Sequence, residues 1–265
     1  MIEKKFKDLK EILKSYGSIA VAFSSGVDST FLLKVAHEVL GENAIAITAT
    51  SEFFPTHEIE EAKFFCQSES INQFILQENI LNVENIEDNP PNRCYICKKN
   101  LFTKILSIAA ENGISNVAEG SNMDDIGDYR PGLQAISELK IKSPLREAQL
   151  YKSEIRELSR KLNLPTADKP SMACLASRFV YGEKITAQKL KQVEQAEEFL
   201  RTKNFKQFRV RVHDNLARIE ILPTDFEKIF SLREDISINL KNFGFDYVSL
   251  DLQGYRTGSM NLGIK

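Results

Sequence analysis

Two sets of residues in the sequence are suited to chemistry. One is a hydroxyl-rich turn at residues 24–29, Ser-Ser-Gly-Val-Asp-Ser, and the other is the cysteine pair Cys94 and Cys97, with a further cysteine at position 174. The backbone N–H groups of a strand-to-helix turn favour an anion such as a phosphate. The Cys-x-x-Cys spacing is used for metals, clusters and redox pairs. The sequence therefore directs attention to anion binding and to thiol chemistry.

The hydroxyl-rich turn lies between an apolar segment, residues 19–23, and a helical pattern over residues 31–40. Its three serine hydroxyls can donate to a bound anion. A plain strand-to-helix turn with a serine cap is an equally open interpretation. No Gly-x4-Gly-Lys-Ser/Thr pattern occurs in the sequence, which excludes a Walker-type nucleotide loop.

Short apolar segments alternate with helical patterns through the first part of the chain. This alternation predicts an α/β fold with a parallel sheet covered on both faces. Such sheets bind ligands beyond the carboxyl ends of their strands, so the loops after Phe23, Thr48 and Glu119 are of interest. The predicted strands are 18–23, 44–48, 71–76 and 115–119, and the predicted helices are 6–16, 31–40, 56–69, 101–112 and 150–162.

A change of composition near residue 183 predicts a second, smaller α+β domain. We expect the boundary between residues 170 and 185 and divide the chain into domains 1–172 and 173–265. The predicted elements of the second domain are a helix capped by Thr186, a hairpin of strands 208–213 and 216–222, a helix over 224–242 and a strand over 247–251.

The composition is that of a globular protein of 265 residues, with 42% hydrophobic residues and a net charge of −2. This charge balance argues against a chain-wide basic surface for nucleic acid. The longest strongly apolar stretch, residues 19–23, is too short to cross a bilayer, and the charged N-terminal helix has no apolar signal core. We therefore expect a soluble cytoplasmic protein without a membrane partner.

The turn at residues 24–29 resembles the Ser-Gly-Gly-x-Asp-Ser pyrophosphate loop of the ATP pyrophosphatase (PP-loop) superfamily, with Ser25 at the position of the first glycine. Further segments narrow the resemblance to the LarE-type ATP-dependent sulfur transferases, over nearly the whole chain. These segments are residues 120–132, 143–145, 169–178 and 208–213. The resemblance implies an adenine nucleotide alpha hydrolase-like domain that cleaves ATP between the α and β phosphates.

The resemblance also implies a substrate, pyridinium-3,5-biscarboxylic acid mononucleotide. Its carboxylates would be adenylated and converted to thiocarboxylates for nickel-pincer nucleotide cofactor synthesis. The expected catalytic residues are Cys174, Asp28 and Arg178. The residues expected to bind the nucleotide are Ser24, Ser25, Gly26, Val27, Asp28 and Ser29 of the turn, with Thr48, Gly120, Asp125, Arg130, Arg209 and Arg211.

Two clusters of charged residues, one of aspartates and one of arginines, have alternative interpretations. Asp124, Asp125 and Asp128 are natural Mg²⁺ ligands beside a triphosphate, although such a cluster is also typical of a solvated turn. Arg209 and Arg211 alternate on one predicted strand and therefore share a face. That face could bind phosphate through forked hydrogen bonds, or it could be a solvated face balanced by Glu220.

The number and positions of the cysteines bear on how sulfur is supplied. LarE-type proteins occur in a form with one sacrificial cysteine, matched here by Cys174, and in a form with a three-cysteine [4Fe-4S] cluster. Cys94, Cys97 and Cys174 favour the cluster, because three thiolates leave one iron available to exogenous sulfide. This requires the Cys94 loop and the loop at 170–178 to meet at the carboxyl edge of the sheet. A sacrificial cysteine, a zinc site completed by Cys66 or a histidine, a redox pair and inert thiols remain alternatives; we expect Cys66 to be a core residue.

Two other functions remain open. A tRNA-thiolating enzyme can share the turn and a three-cysteine cluster, although the net charge of −2 argues against an RNA partner. A non-catalytic nucleotide-binding regulator is the second, and Asp28 together with the three cysteines argues against it. The expected partners are a small-molecule mononucleotide, ATP, sulfide or another sulfur donor, and a second copy of the chain in a homo-oligomer.

Overall fold

The computed structural model describes residues 2–125, 131–256 and 258–259. The chain divides into two compact units. The first unit comprises the residues up to Glu78 together with Cys94–Met172, and the second comprises Asn79–Arg93 together with the described residues from Ala173 onward. The assignment of residues 79–93 to the second unit is a feature that hydrophobic periodicity does not reveal.

The first unit is an α/β structure. Its strands are β1 (Ile19–Ala22), β2 (Ala44–Thr50), β3 (Gln73–Gln77) and β4 (Val117–Ala118). Its helices are α1 (Ile2–Tyr16), α2 (Val27–Leu40), α3 (Thr56–Ser68), α4 (Arg93–Glu111), α5 (Pro131–Glu138), α6 (Pro144–Glu147) and α7 (Lys152–Lys161). Arg93, the first residue of α4, belongs to the second unit. Within the described residues the strands pair in parallel in the order β3-β2-β1-β4, which confirms the predicted fold class.

The two faces of the inner strand β1 are buried in different hydrophobic clusters. Ile19 and Val21 of β1 pack into the cluster that contains Phe31 of α2, whereas Ala20 packs into the cluster that contains Ile105 of α4. Because neither face meets water, β1 is apolar throughout instead of alternating. Val21 pairs with Ala118, so the carboxyl ends of β1 and β4 are neighbours. The loops that follow these two strands therefore start side by side.

The second unit is a small α+β structure. Its described elements are α8 (Ala187–Thr202), β5 (Phe208–His213), β6 (Leu216–Ile221), α9 (Phe226–Ser231), α10 (Arg233–Asn242) and β7 (Tyr247–Leu250). β5 and β6 form the predicted antiparallel hairpin, and β7 pairs in parallel with β6. The Thr186 hydroxyl accepts a hydrogen bond from the Lys189 N–H at 3.2 Å, which confirms the predicted cap.

Several predicted helices differ from the structure in where they begin or in their continuity. The helix expected over 31–40 begins at Val27, inside the predicted turn. The helix expected over 101–112 begins at Arg93, so Cys94 and Cys97 lie in a helix. The prediction that Cys94 lies in a loop was therefore wrong. Residues 94–100 are all half-buried, and the first fully buried apolar residue comes at position 101, which is where the periodic signal starts. The helix expected over 224–242 is broken between α9 and α10.

None of the helices in the described ranges has the length and apolar character that a membrane span requires.

Candidate functional site

The turn after β1 is shaped by hydrogen bonds among its own residues. The hydroxyl oxygens of Ser24 and Ser29 lie 3.2 Å apart, and the Ser29 hydroxyl donates to the Gly26 carbonyl at 3.3 Å. Gly26 precedes α2, and the first N–H groups of a helix have no intrahelical partner. They give the turn a partial positive charge, which suits an anion.

Ser25 adopts a backbone conformation that usually belongs to glycine. Its φ is 52°, in the left-handed region. The Ser25 hydroxyl donates to the Glu58 carbonyl at 3.0 Å, and Lys169 Nζ donates to the Ser25 carbonyl at 3.1 Å. Lys169 is itself held by the carboxylates of Glu58 at 3.2 Å and Glu61 at 2.6 Å. These contacts from α3 and from Lys169 hold a serine in the glycine-like conformation.

Asp28 lies in the first turn of α2 and is part of a polar network. Its carboxylate forms an ion pair with Lys152 and accepts a hydrogen bond from Asn122 Nδ2 at 3.3 Å. The Asn122 N–H donates to the Asp125 carboxylate at 2.9 Å, which places Asp125 at the same corner. Burial raises the pKa of Asp28 above its usual value, and the charge of Asp125 adds to this effect against the opposing influence of Lys152.

Gly120 brings the loop after β4 against the start of α2. A Cβ at this position would lie 3.1 Å from the Asp28 Cβ and 3.1 Å from the Ser29 nitrogen, closer than side chains normally approach. Glu119, the preceding residue, is buried and accepts hydrogen bonds from two serine hydroxyls at 2.7 Å each. The absence of a side chain at Gly120 therefore permits the loop after β4 to pack closely on the turn.

The other residues predicted to bind the nucleotide or Mg²⁺ in the first unit are less closely tied to the turn. Thr48 is buried in β2, where its hydroxyl accepts a hydrogen bond from a glutamine of β3 at 2.8 Å. Arg130 and Asp128 lie outside the described residues. Within the described ranges, no group of three or more His, Cys, Asp or Glu side chains is arranged to hold a metal ion. An Mg²⁺ site that uses Asp124 and Asp125 therefore stays a prediction.

In the second unit, Cys174 lies in a segment that we call the cysteine loop, residues 173–178. Guanidinium groups donate to four backbone carbonyls of this loop at 2.5–3.0 Å, which fixes its course. The pairs are Arg178 with Ala173 and Cys174, Arg93 with Ala176, and Arg211 with Ser177.

Arg178 is fully buried and forms a bidentate ion pair with Glu197 of α8, with N–O distances of 2.8 and 2.7 Å. Burial opposes the charged form of Glu197, but the guanidinium of Arg178, the charge of Arg209 and the Val210 N–H together lower the pKa of this carboxyl below its usual value. These contacts are those of a residue that positions the Cys174 backbone. The catalytic role predicted for Arg178 stays a prediction.

Arg209 and Arg211 are both buried, so the alternative of a solvated strand face was wrong. Arg211 pairs at 2.9 Å with Glu220, which is also buried. The Arg209 guanidinium lies 5.2 Å from the centre of the Tyr255 ring. Burial, with the nearby positive charge of Arg178, lowers the pKa of Arg209 to about 10. Phosphate binding by these two arginines stays a prediction.

The cysteines differ in exposure. Cys66 is buried in the core, as expected, and burial raises the pKa of its thiol to about 12. Cys94, Cys97 and Cys174 are partly exposed. Cys94 and Cys97 lie one turn apart at the start of α4, a spacing that puts both thiols on one helix face.

Sequence reasoning missed Lys152, Lys169, Arg93 and Glu197. The first three contact residues far away in the chain, and no local pattern identifies them. Glu197 did carry a signal, because it lies four residues after Val193 on the buried stripe of α8. A charged residue on an apolar helix face predicts a buried partner of opposite charge.

Comparisons with known proteins find relatives that are similar over nearly the whole chain. It is 44% identical over 266 residues to an uncharacterised protein of Synechocystis sp., covering 98% of both chains. It is 37% identical over 250 residues to the pyridinium-3,5-bisthiocarboxylic acid mononucleotide synthase of Lactiplantibacillus plantarum, covering 94% of this chain and 91% of that protein. It is also 30% identical over 191 residues to one chain of the glutamine-hydrolyzing GMP synthase of Thermoplasma volcanium, covering 66% and 60% of the two chains. No protein-family model matches the chain.

The buried ion pair yields a stability prediction. Glu197→Gln should lower the free energy of unfolding by about 3–5 kcal/mol, because it leaves the Arg178 charge buried without its partner. Since the pKa of Glu197 lies below its usual value, this contribution is present at neutral pH and is lost as acid protonates the carboxylate. Urea unfolding at pH 7 measures it. The matched control is Glu198→Gln on the same helix, whose pair with Arg201 is exposed and should contribute less than about 1 kcal/mol. Equal effects of the two substitutions would contradict the assignment.

The conformation of Ser25 yields a second prediction. Ser25→Gly should change the free energy of unfolding by no more than about 1 kcal/mol, because glycine adopts a φ of 52° without strain but loses the serine hydroxyl. Ser25→Val should cost about 1–3 kcal/mol, because a β-branched side chain is disfavoured at positive φ. Urea unfolding of both variants decides the matter, and a valine tolerated as well as glycine would refute the role assigned to this conformation.

Proposed function

The chain belongs to the family of pyridinium-3,5-bisthiocarboxylic acid mononucleotide synthases, and from this membership we propose that it transfers sulfur to pyridinium-3,5-biscarboxylic acid mononucleotide. The observation that carries the proposal is the match to the Lactiplantibacillus plantarum synthase over 94% of this chain. The named product requires carboxylate oxygen to be replaced by sulfur. A carboxylate does not release oxygen readily, so it must first be activated.

We infer that ATP supplies this activation. A carboxylate oxygen of the substrate attacks the α-phosphorus, the bond from that phosphorus to the bridging oxygen breaks, and pyrophosphate leaves with the electron pair. The N-terminus of α2 and the hydroxyls of the turn would stabilise the charge on the departing pyrophosphate. Mg²⁺ would neutralise further charge when bound, and we propose Asp28 as a ligand in addition to the predicted carboxylates of Asp124 and Asp125. The similarity of much of the chain to a GMP synthase supports this part of the proposal.

The second step replaces AMP by sulfur. A sulfur nucleophile delivered at Cys174 attacks the acyl carbon, the bond from that carbon to the AMP oxygen breaks, and a thiocarboxylate and AMP result. The arginines that hold the cysteine loop would keep the Cys174 backbone fixed during this step, which favours a single attack geometry.

We infer that Cys94, Cys97 and Cys174 bind a [4Fe-4S] cluster. When bound, it would supply an iron without a protein ligand, to which exogenous sulfide can attach. The position of Cys94 and Cys97 on one turn of α4 suits two ligands of a common centre. Arg93, the residue before Cys94, donates at 2.9 Å to the carbonyl of Ala176, two residues after Cys174. Both observations support the inference.

The phosphate step is tested with Asp28. Asp28→Ala should lower pyrophosphate release from ATP by about 100-fold or more, because it removes the carboxylate expected to bind Mg²⁺ at the turn. A coupled assay for inorganic pyrophosphate measures the rate. Asp8→Ala, on the exposed face of α1, is the control and should be without effect. Release of ADP and inorganic phosphate in place of AMP and pyrophosphate would overturn the proposed cleavage.

The cysteine roles are tested by iron content and by sulfur transfer. Protein purified without oxygen should be brown and contain about four irons per chain. Cys94→Ala, Cys97→Ala and Cys174→Ala should each lower both the iron content and the yield of thiocarboxylate. Cys66→Ala should leave both unchanged, because that thiol is buried in the core.

The same experiment distinguishes a sacrificial cysteine. Colourless protein that acts once and whose Cys174 loses the mass of H₂S would make Cys174 the sulfur donor. In that case the adenylation step would stand, and the roles assigned to Cys94 and Cys97 would be wrong.

A further inference from the structure

We propose that Lys169 is a positioning residue for the phosphate step, which acts by holding the turn at residues 24–29 in the conformation that binds an anion. The proposal rests on the ATP cleavage proposed above. Lys169 lies 144 positions after Ser25 in the chain, yet its ammonium donates to the Ser25 carbonyl at 3.1 Å and to the Ser25 hydroxyl at 3.3 Å. The same hydroxyl donates to the Glu58 carbonyl at 3.0 Å. The carbonyl and the hydroxyl of Ser25 are therefore both fixed by residues outside the turn.

The donors of the Lys169 ammonium are engaged within the protein. Besides the two Ser25 oxygens, the ammonium lies 3.2 Å from the Glu58 carboxylate and 2.6 Å from the Glu61 carboxylate. An ammonium has three N–H donors, and four protein oxygens already lie within 3.3 Å of this one. We call Lys169, Glu58 and Glu61 the lysine clamp. With its donors engaged in this way, the ammonium acts on the reaction through Ser25 and not through a phosphate oxygen.

A second set of contacts sets the position of Lys169. Arg156 of α7 donates to the Ala167 carbonyl at 2.6 Å and to the Lys169 carbonyl at 2.7 Å. The Lys169 N–H donates to the Thr166 carbonyl at 3.0 Å, which closes a tight turn in this segment. The ammonium of Lys169 is therefore presented to Ser25 from a backbone that is itself anchored to a helix.

The lysine clamp is needed because residue 25 is not glycine. Ser25 has a φ of 52°, a conformation that a Cβ disfavours and that glycine adopts freely. A left-handed residue in a turn brings successive backbone N–H groups to one side, where they bind an anion together. When the contacts to Lys169 are removed, we expect Ser25 to relax toward negative φ and these N–H groups to diverge. A glycine at this position would keep the binding conformation accessible without the clamp.

Binding of inorganic pyrophosphate with Mg²⁺, measured by calorimetry, tests the proposal. The clamp is removed by Lys169→Gln together with Glu61→Gln, which leaves the net charge of the cluster unchanged and so preserves the long-range attraction for the anion. In the native turn this double change should weaken binding about tenfold or more, because the N–H groups no longer converge. In the Ser25→Gly background it should weaken binding by less than about threefold, because glycine does not need the clamp. Pyrophosphate release from ATP should show the same rescue.

The matched control is a second lysine that is held by two glutamates. Lys34 of α2 lies 2.8 Å from the Glu69 carboxylate and 3.4 Å from the Glu38 carboxylate, and both partners lie outside the turn. Its side chain is 21% exposed, close to the 15% of Lys169. Lys34→Gln together with Glu38→Gln should bind pyrophosphate like the parent protein, with or without Ser25→Gly.

A second variant keeps the test valid if the clamp variant of the native turn does not fold, which circular dichroism checks. Arg156→Gln leaves the three clamp residues intact and should weaken pyrophosphate binding about threefold or more, a loss that Ser25→Gly should again suppress. Equal losses with and without Ser25→Gly, or no loss in either background, would overturn the proposal and leave the proposed function standing. Wild-type protein that neither binds pyrophosphate nor releases it from ATP would overturn both.

Discussion

The bidentate ion pair between Arg178 and Glu197 is the contact on which the second unit, which carries Cys174, depends. A guanidinium without solvent exposure must keep its carboxylate, because an uncompensated buried charge is far more costly than a lost surface pair. The remaining nitrogen of Arg178 donates to the carbonyls of Ala173 and Cys174. Glu197 also accepts the Val210 N–H of β5 at 2.9 Å. One buried charge pair therefore joins α8, β5 and the cysteine loop.

The first unit, which carries the turn at residues 24–29, is organised on a different principle. Backbone groups and short side chains meet at the carboxyl ends of β1 and β4, where the parallel register brings two loops together, and Lys152 and Lys169 reach the turn from other segments. Gly120 allows direct contact there, and Ser25 is held in a conformation that glycine would adopt unaided. Asp28 meets Lys152 at the start of two different helices. At this turn the paired charges lie at helix ends, whereas in the second unit the pairs Arg178–Glu197 and Arg211–Glu220 are buried.

The elements of this fold could be predicted from local pattern, and the partners of its charged residues could not. Apolar runs and capping residues predicted the parallel sheet, the hairpin and the start of α8. The same patterns placed Cys94 and Cys97 outside a helix, because the first turns of α4 carry no buried apolar stripe. Alternation put Arg209 and Arg211 on one face, but their burial depends on groups such as Glu220 and Tyr255 that adjoin them only in the folded chain.

Residues 79–93 have a consequence for how the protein folds during synthesis. Asn89 is buried, its side chain donates to the Val180 carbonyl at 2.7 Å, and its own carbonyl accepts the Gly182 N–H at 2.9 Å. The first of those partners, Val180, is translated 91 residues later, which corresponds to about 5–20 s at ordinary ribosomal rates. During that interval the segment lacks these native hydrogen bonds. An isolated fragment that begins at residue 173 would lack this segment, and with it the hydrogen bonds that Asn89 makes to Val180 and Gly182.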